Sequence, residues 1–166
     1  MSDSLPDLLP SDAERALSES LESLLTDRGG VDKALARTES GQTYDDGLWH
    51  AIAAELGCAG LLIPEADGGA GASYTEAATA AEALAAFVAA VPFLGSAVVA
   101  TAALLSAGSG DAAERAVADL LVRMAGGEVT TALAVPFGNQ QPGTAQIRGD
   151  GMPQPVVVGL TRLGAS

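Results

Sequence analysis

Cations, histidine and cysteine are scarce in this chain, and each scarcity argues against a class of function. One lysine and seven arginines stand against 21 acidic residues, which gives the 166-residue chain a formal net charge of −13. A surface of this charge repels the phosphates of nucleic acids and of anionic lipids. We therefore expect no nucleic-acid partner and no membrane partner, and we attribute the acidity mainly to solubility.

The single cysteine and the single histidine leave no basis for a disulfide or a metal site. Cys58 has no second cysteine to pair with, which is typical of a reducing cytoplasm, and its apolar neighbours predict a buried, inert thiol. His50 is the only histidine, and the carboxylates show no ligand-like spacing, so we predict no metal. The acidic first ten residues lack the order of a signal peptide. Together these features predict a cytoplasmic protein.

Charge is absent from one long stretch, between Glu82 and Asp111. By length alone this segment could span a bilayer, which takes roughly 20 apolar residues. Alanine supplies much of it, Pro92 and Gly95 interrupt it, and no Lys/Arg cluster flanks it to set an orientation. We therefore favour two core helices separated at Pro92, with a membrane helix as the less favoured alternative. The chain also shows no Ser/His/Asp arrangement and no Walker phosphate loop.

Helix signals dominate the chain as far as residue 128. Ser11 and Glu14 form a capping-box pattern, and Ser73 and Glu76 repeat it at the start of an alanine-rich helix. Apolar residues recur at helical spacing in several segments, and Gly-Gly pairs or a proline end them. We predict five or six helices, which together form an N-terminal helical bundle.

The pattern changes to short β-type stretches after residue 128. Val129–Val135 is rich in β-branched residues, Thr144–Arg148 alternates apolar and polar residues, and Val156–Leu163 is a third candidate strand. The predicted fold class is therefore mainly α. It consists of a helical domain over residues 1–128 and a partial antiparallel β segment, an incomplete β domain, over residues 129–166.

One stretch, Leu48–Gly71, organises the helical part. It reads as an amphipathic helix capped at Gly57, an apolar run that Pro64 keeps from continuing as a helix, and a glycine-rich loop. The loop PEADGGAG and the helices around it resemble the N-terminal domain of the acyl-CoA dehydrogenases, whose loop typically reads Pro-Glu-x-x-Gly-Gly-x-Gly. The residues that match this loop position by position are Pro64, Glu65, Gly68, Gly69 and Gly71. The resemblance continues through EALAAFVAAVPFLGSAVVATAALL and into GGEVTTALAVP.

The resemblance implies an activity, a cofactor and partners. Members of the family bind FAD between a β domain and a C-terminal helical bundle, and they oxidise acyl-CoA thioesters to the enoyl form. The glutamate that takes the α-proton normally belongs to a part of the fold that follows these residues, so no catalytic residue is assigned in this chain. The N-terminal helices would close one side of the acyl pocket, in a homo- or hetero-oligomer of acyl-CoA dehydrogenase chains.

The same resemblance implicates two sets of residues. The predicted substrate-binding residues, for which plain core packing is an open alternative, are Phe93, Leu94 and Val98. The predicted cofactor-binding residues, which would use backbone groups, are Leu133, Ala134 and Val135.

One motif departs from the family pattern. The family strand usually runs into Thr-Glu-Pro-x-x-Gly-Ser-Asp, whereas residues 134–139 read AVPFGN, so the hydroxyl contacts to flavin are missing. A weakened motif of this kind resembles divergent members that act on bulky, steroid-derived acyl-CoAs as hetero-oligomers. The alternative is a non-catalytic helical interaction subunit that partners a catalytic acyl-CoA dehydrogenase chain.

Overall fold

Six α-helices lie in the part of the chain that the computed structural model describes, residues 9–29, 31–106, 111–134 and 156–159. A π-helical segment, Phe93–Ala100, runs directly into the fifth α-helix, and two short strands follow the sixth. The predicted fold class, mainly α with a helical bundle before the β segment, is confirmed. The elements are α1 (Asp12–Arg28), α2 (Val31–Thr38), α3 (Asp46–Leu56), α4 (Tyr74–Ala86), α5 (Thr101–Ser106), α6 (Asp111–Ala125), β1 (Thr131–Ala134) and β2 (Val156–Gly159).

Local capping fixes where three of the helices begin. Both predicted capping boxes are present: the Ser11 N–H donates to the Glu14 carboxylate at 2.6 Å, and the Ser73 N–H donates to the Glu76 carboxylate at 2.9 Å. Asp45 caps α3 by accepting from the Leu48 N–H at 3.0 Å. Each contact satisfies a backbone donor that the first turn of a helix leaves without an intrahelical partner.

The helices enclose a core built mainly from α1, α3, α4 and the π-helical segment. Leu21, Leu25 and Ile52 are fully buried there, and Trp49 and Leu84 are nearly so. A second, smaller cluster joins the glycine-rich loop to α5 and α6. Its buried members are Ile63, Leu104, Leu121, Met124 and Val129.

The glycine-rich loop folds back on itself. The Gly71 N–H donates to the Ile63 carbonyl at 2.8 Å, and the Ala72 N–H donates to the Leu61 carbonyl at 2.8 Å. A Cβ on Gly69 would lie 2.1 Å from the Ile63 carbonyl oxygen, so only glycine allows this approach. The loop therefore holds Ile63 inside the second core cluster.

The charge-free stretch forms no continuous long helix. α4 ends at Ala86, and Pro92 precedes the π-helical segment, so the two-helix interpretation of this stretch is confirmed in outline. Within residues 9–29, 31–106, 111–134 and 156–159, no helix combines the length and the apolar character that crossing a bilayer requires.

The two described strands pair in parallel, with Thr131 opposite Val156 and Ala134 opposite Gly159. The predicted antiparallel arrangement is therefore wrong for this pair. Residues 135–155 separate the strands, and a connection of that length is sufficient for the crossover that a parallel pair needs. The remaining candidate strand, Thr144–Arg148, lies outside the described residues. The domain boundary near residue 128 stays a prediction.

Candidate functional site

The π-helical segment has an uncommon pattern of backbone hydrogen bonds. The Thr101 N–H donates to the Ser96 carbonyl, which is the five-residue spacing of a π-helix instead of the four-residue spacing of an α-helix. π-Helical turns are rare and occur frequently at functional sites. The wider turn changes which side chains share a face of this helix.

An exposed apolar face follows from that spacing. Leu94 is 64% exposed and Val99 is 40% exposed, whereas Val98 is partly buried and packs against the main core. We call Leu94, Val98 and Val99 the π face. No charged residue occurs between Glu82 and Asp111, so no charge on this helix interrupts the face. In a chain of net charge −13, an uncharged apolar face is suited to an apolar ligand or to another protein surface.

The predicted substrate-binding residues separate into two groups in the structure. Leu94 and Val98 lie on the π face. Phe93 is 3% exposed and belongs to the main core, which agrees with plain packing for this side chain. Val99 was not among the predicted residues. It joins Leu94 and Val98 through the π spacing, and a sequence assumed to be α-helical gives no signal for that spacing.

β1 carries two of the predicted cofactor-binding residues. Leu133 is half-buried, Ala134 ends the strand, and Val135 lies outside the described residues. The Thr131 N–H donates to Ser96 and not to β2. Because backbone groups two residues apart in a strand point to the same edge, the Leu133 N–H faces that edge as well. Any contact of this strand with a flavin ring would use backbone groups, because Ala134 has no hydroxyl.

A buried polar contact joins the π-helical segment to β1. The Thr131 N–H donates to the Ser96 hydroxyl oxygen at 2.9 Å, and the two hydroxyl oxygens lie 3.3 Å apart. The Thr131 hydroxyl also lies 3.5 Å from the Met124 sulfur on α6. All three side chains are buried. We call this set the Ser96–Thr131 contact.

Ionisable groups do not assemble into a reaction centre in the part of the chain described by the structure. Desolvation by burial raises the pKa of the Cys58 thiol to about 12, so this cysteine is neutral at physiological pH. Glu65, in the glycine-rich loop, is exposed. No three His, Cys, Asp or Glu side chains among the described residues are grouped as a metal site would require.

A surface groove of about 470 Å³ lies between α1 and α3. Its lining includes Glu19, Asp27 and Glu55, with Arg28 as a cation that pairs with Glu55 at 2.6 Å. The three carboxylates outnumber the one cation, which is already paired, so the groove repels the phosphates of a CoA ester. The π face is therefore the better candidate for contact with an acyl chain.

Comparison with known proteins assigns the class to which this helical unit belongs. The family model described as acyl-CoA dehydrogenase, N-terminal domain, matches residues 11–128. The chain belongs to the acyl-CoA dehydrogenase family, as the glycine-rich loop predicted.

The curated relatives are acyl-CoA dehydrogenases of mycobacteria. Acyl-CoA dehydrogenase IpdE2 of Mycobacterium tuberculosis is 33% identical over 105 residues, which cover 63% of this chain and 33% of that protein. IpdE2 of Mycolicibacterium smegmatis is 35% identical over 98 residues, which cover 59% of this chain and 31% of that protein. The chain thus matches about a third of the length of these relatives.

Two solved structures share the fold. A variant of the Tcur3481-Tcur3483 steroid ACAD superposes with a TM-score of 0.61 at 28% identity, covering 78% of this chain and 34% of that one. The ChsE4-ChsE5 complex from Mycobacterium tuberculosis gives a TM-score of 0.65 at 24% identity, covering 89% of this chain and 39% of that one. The second likeness concerns the fold alone.

Proposed function

We propose that this chain is part or a subunit of a flavin-dependent acyl-CoA dehydrogenase that desaturates the α,β bond of an acyl-CoA thioester. Its helical domain closes one side of the acyl pocket. The observation that carries the proposal is the π face: Leu94 and Val99 are apolar and exposed beside the partly buried Val98, and no charged residue interrupts them, on a domain of this family.

The π face contributes binding and water exclusion. Burying apolar surface against an acyl chain contributes about 25 cal/mol per Å² removed from water. A broad face without charge suits a bulky acyl group, and a steroid-derived acyl-CoA is the substrate class we propose. The name of the Tcur3481-Tcur3483 steroid ACAD supports this choice.

FAD is the proposed cofactor, and the backbone of Leu133, Ala134 and Val135 is proposed to hold it. When bound, a flavin supplies the hydride acceptor for this chemistry. The β1 backbone of this chain would orient the ring. The base that removes the α-proton is proposed to come from outside the described residues, because Glu65 is an exposed loop residue and the π face carries no acid.

We propose further that the protein works in the cytoplasm, in lipid or steroid degradation, as an oligomer with acyl-CoA dehydrogenase chains. The name of the Tcur3481-Tcur3483 steroid ACAD pairs two chains, which supports a hetero-oligomer. A neutral, buried Cys58 is compatible with a reducing compartment.

Replacement of Leu94 by aspartate tests the proposal. Leu94→Asp places a charge on the π face, and we expect KM for a bulky acyl-CoA to rise about tenfold or more, because the charge must be desolvated when the acyl chain binds. Leu35→Asp on α2 is the matched control, since Leu35 is 63% exposed and Leu94 is 64% exposed. Equal KM values for the two variants, measured in the complex purified through a tag on this chain, would contradict the proposal.

A second candidate function is a non-catalytic helical subunit that partners a catalytic acyl-CoA dehydrogenase chain. The sequence AVPFGN at residues 134–139 favours it, because these residues lack the hydroxyls of the family motif. The effect of Leu94→Asp on the purified complex distinguishes the two functions. Weaker copurification of the partner, with an unchanged KM in the complex that remains, would favour the second candidate.

A further inference from the structure

Ser96 uses its hydroxyl differently from other hydroxyls in these helices. Ser20 and Ser106 donate to the carbonyl four residues earlier, both at 2.7 Å, which is the usual arrangement for a helical serine. The Ser96 hydroxyl instead contacts Thr131, 35 residues further along the chain. It is buried, so this contact is made without competition from bulk water.

The donors and acceptors of the Ser96–Thr131 contact are mutually consistent. The Thr131 N–H donates to the Ser96 hydroxyl oxygen, and the Thr131 hydroxyl donates to the Met124 sulfur. The Ser96 hydroxyl then donates to the Thr131 hydroxyl oxygen, since each hydroxyl has one proton to give. The contact thereby joins the π-helical segment, β1 and α6 without leaving a donor unused.

The π spacing holds Ser96 in place. Its carbonyl accepts from the Thr101 N–H, and the Thr101 hydroxyl donates to the same carbonyl at 3.3 Å. Leu94 and Val98 lie two residues before and two residues after Ser96, on the π face. On β1, Leu133 lies two residues after Thr131. Its N–H therefore lies at the same edge of the strand as the Thr131 N–H.

We propose that Ser96 is a positioning residue that sets the distance between the π face and the flavin-binding edge of β1. The assignment rests on the proposed function. One hydroxyl connects the surface proposed to hold the acyl chain to the strand proposed to hold the flavin ring. Its loss would let β1 shift relative to the π face while leaving both surfaces chemically intact.

The test is carried out on the complex purified through a tag on this chain. Ser96→Ala removes the acceptor of the Thr131 N–H, whereas Thr131→Val removes a hydroxyl and keeps the N–H contact. Ser106→Ala, on an exposed serine of the same helical run, is the matched control. The readouts are the dissociation constant for FAD, the position and fine structure of its visible absorbance, and hydrogen exchange of the peptide that contains Thr131.

We expect Ser96→Ala to weaken FAD binding several-fold, because part of the binding free energy must then hold β1 in its binding position. We also expect an altered flavin spectrum and faster exchange at β1. Thr131→Val should show a smaller effect, and Ser106→Ala should match the wild type in all three readouts.

Two results would overturn the assignment, and a third concerns the proposed function. FAD affinity and spectrum equal in Ser96→Ala and Ser106→Ala would show that Ser96 positions nothing for the flavin. Faster exchange or a lower Tm in Ser96→Ala with unchanged FAD binding would show a structural role alone. A wild-type complex without flavin would contradict the proposed function itself, and the wild-type measurement reveals this before any variant is compared.

Discussion

Gly69 occupies a position that no other residue can take without moving the backbone. An added Cβ would lie 2.1 Å from the Ile63 carbonyl oxygen and 2.5 Å from the Ile63 Cβ. The Ile63 carbonyl is itself held by the Gly71 N–H at 2.8 Å, and Ile63 is fully buried. The neighbouring atoms therefore cannot retreat without loosening the second core cluster.

We predict that Gly69→Ala lowers the free energy of unfolding by about 2–4 kcal/mol, because overpacking at a backbone contact forces a main-chain shift. Urea denaturation followed by circular dichroism measures the change. Gly41→Ala is the control, since no atom lies within 4 Å of an added Cβ there. Equal midpoints for the two variants would contradict the packing described for the loop.

The exposure of the candidate site residues was predicted unequally well from the sequence. The family resemblance assigned Leu94 and Val98; both lie on the π face, and substrate binding by them stays a prediction. Phe93 is adjacent in sequence but points into the main core, because successive residues of any helix face different directions. Val99 shares the π face with Leu94 only because this segment has π-helical spacing, and no local sequence signal specifies that spacing.

At the scale of single elements, α4 begins with a charged capping contact. Glu76 accepts from the Ser73 N–H at 2.9 Å and also pairs with the Ser73 hydroxyl. The Ser73 side-chain hydrogen bond is the largest of the effects that hold the pKa of Glu76 below its usual value of 4.5. Because the pKa of Glu76 is lower in the folded state, its ionised carboxylate stabilises the fold above the unfolded-state pKa. This stabilisation is lost as the pH falls through the folded-state pKa.

We predict that Glu76→Gln makes thermal stability less dependent on pH between about pH 5 and pH 3, because glutamine still caps the helix but does not titrate. Scanning calorimetry at several pH values gives the dependence of Tm. Glu82→Gln, which removes an exposed charge from the same helix away from its N-terminus, is the control. Parallel Tm curves for both variants would contradict a role of Glu76 ionisation in the cap.

Elements that depend on contacts between residues close in sequence were predictable, and elements that depend on contacts between distant residues were not. The capping boxes at Ser11 and Ser73 lie within four residues of sequence, so pattern and structure agree. The π-helical segment is joined to β1 through Thr131, a contact across 35 residues that periodicity cannot reveal. The parallel pairing of β1 with β2 depends on the path between them, and the sequence of each strand is equally compatible with either direction.

For the molecule as a whole, the acidic charge and the apolar π face belong to different parts of the chain. A formal charge of −13 keeps the outer surface hydrated, while the π face carries apolar groups. The chain matches about a third of the length of its curated relatives, and the family model covers residues 11–128. Membership of the family and a helical domain at its N-terminal end therefore stand on both sequence and fold, and the desaturation activity is our proposal.

The most direct measurement is the visible absorbance of the complex purified through a tag on this chain, before and after anaerobic addition of a steroid-derived acyl-CoA. We predict a flavin spectrum that bleaches on addition, because the substrate held against the π face transfers a hydride equivalent to the bound cofactor. A folded complex that shows no flavin absorbance, or a flavin spectrum unchanged by acyl-CoA substrates of several sizes, would contradict the account.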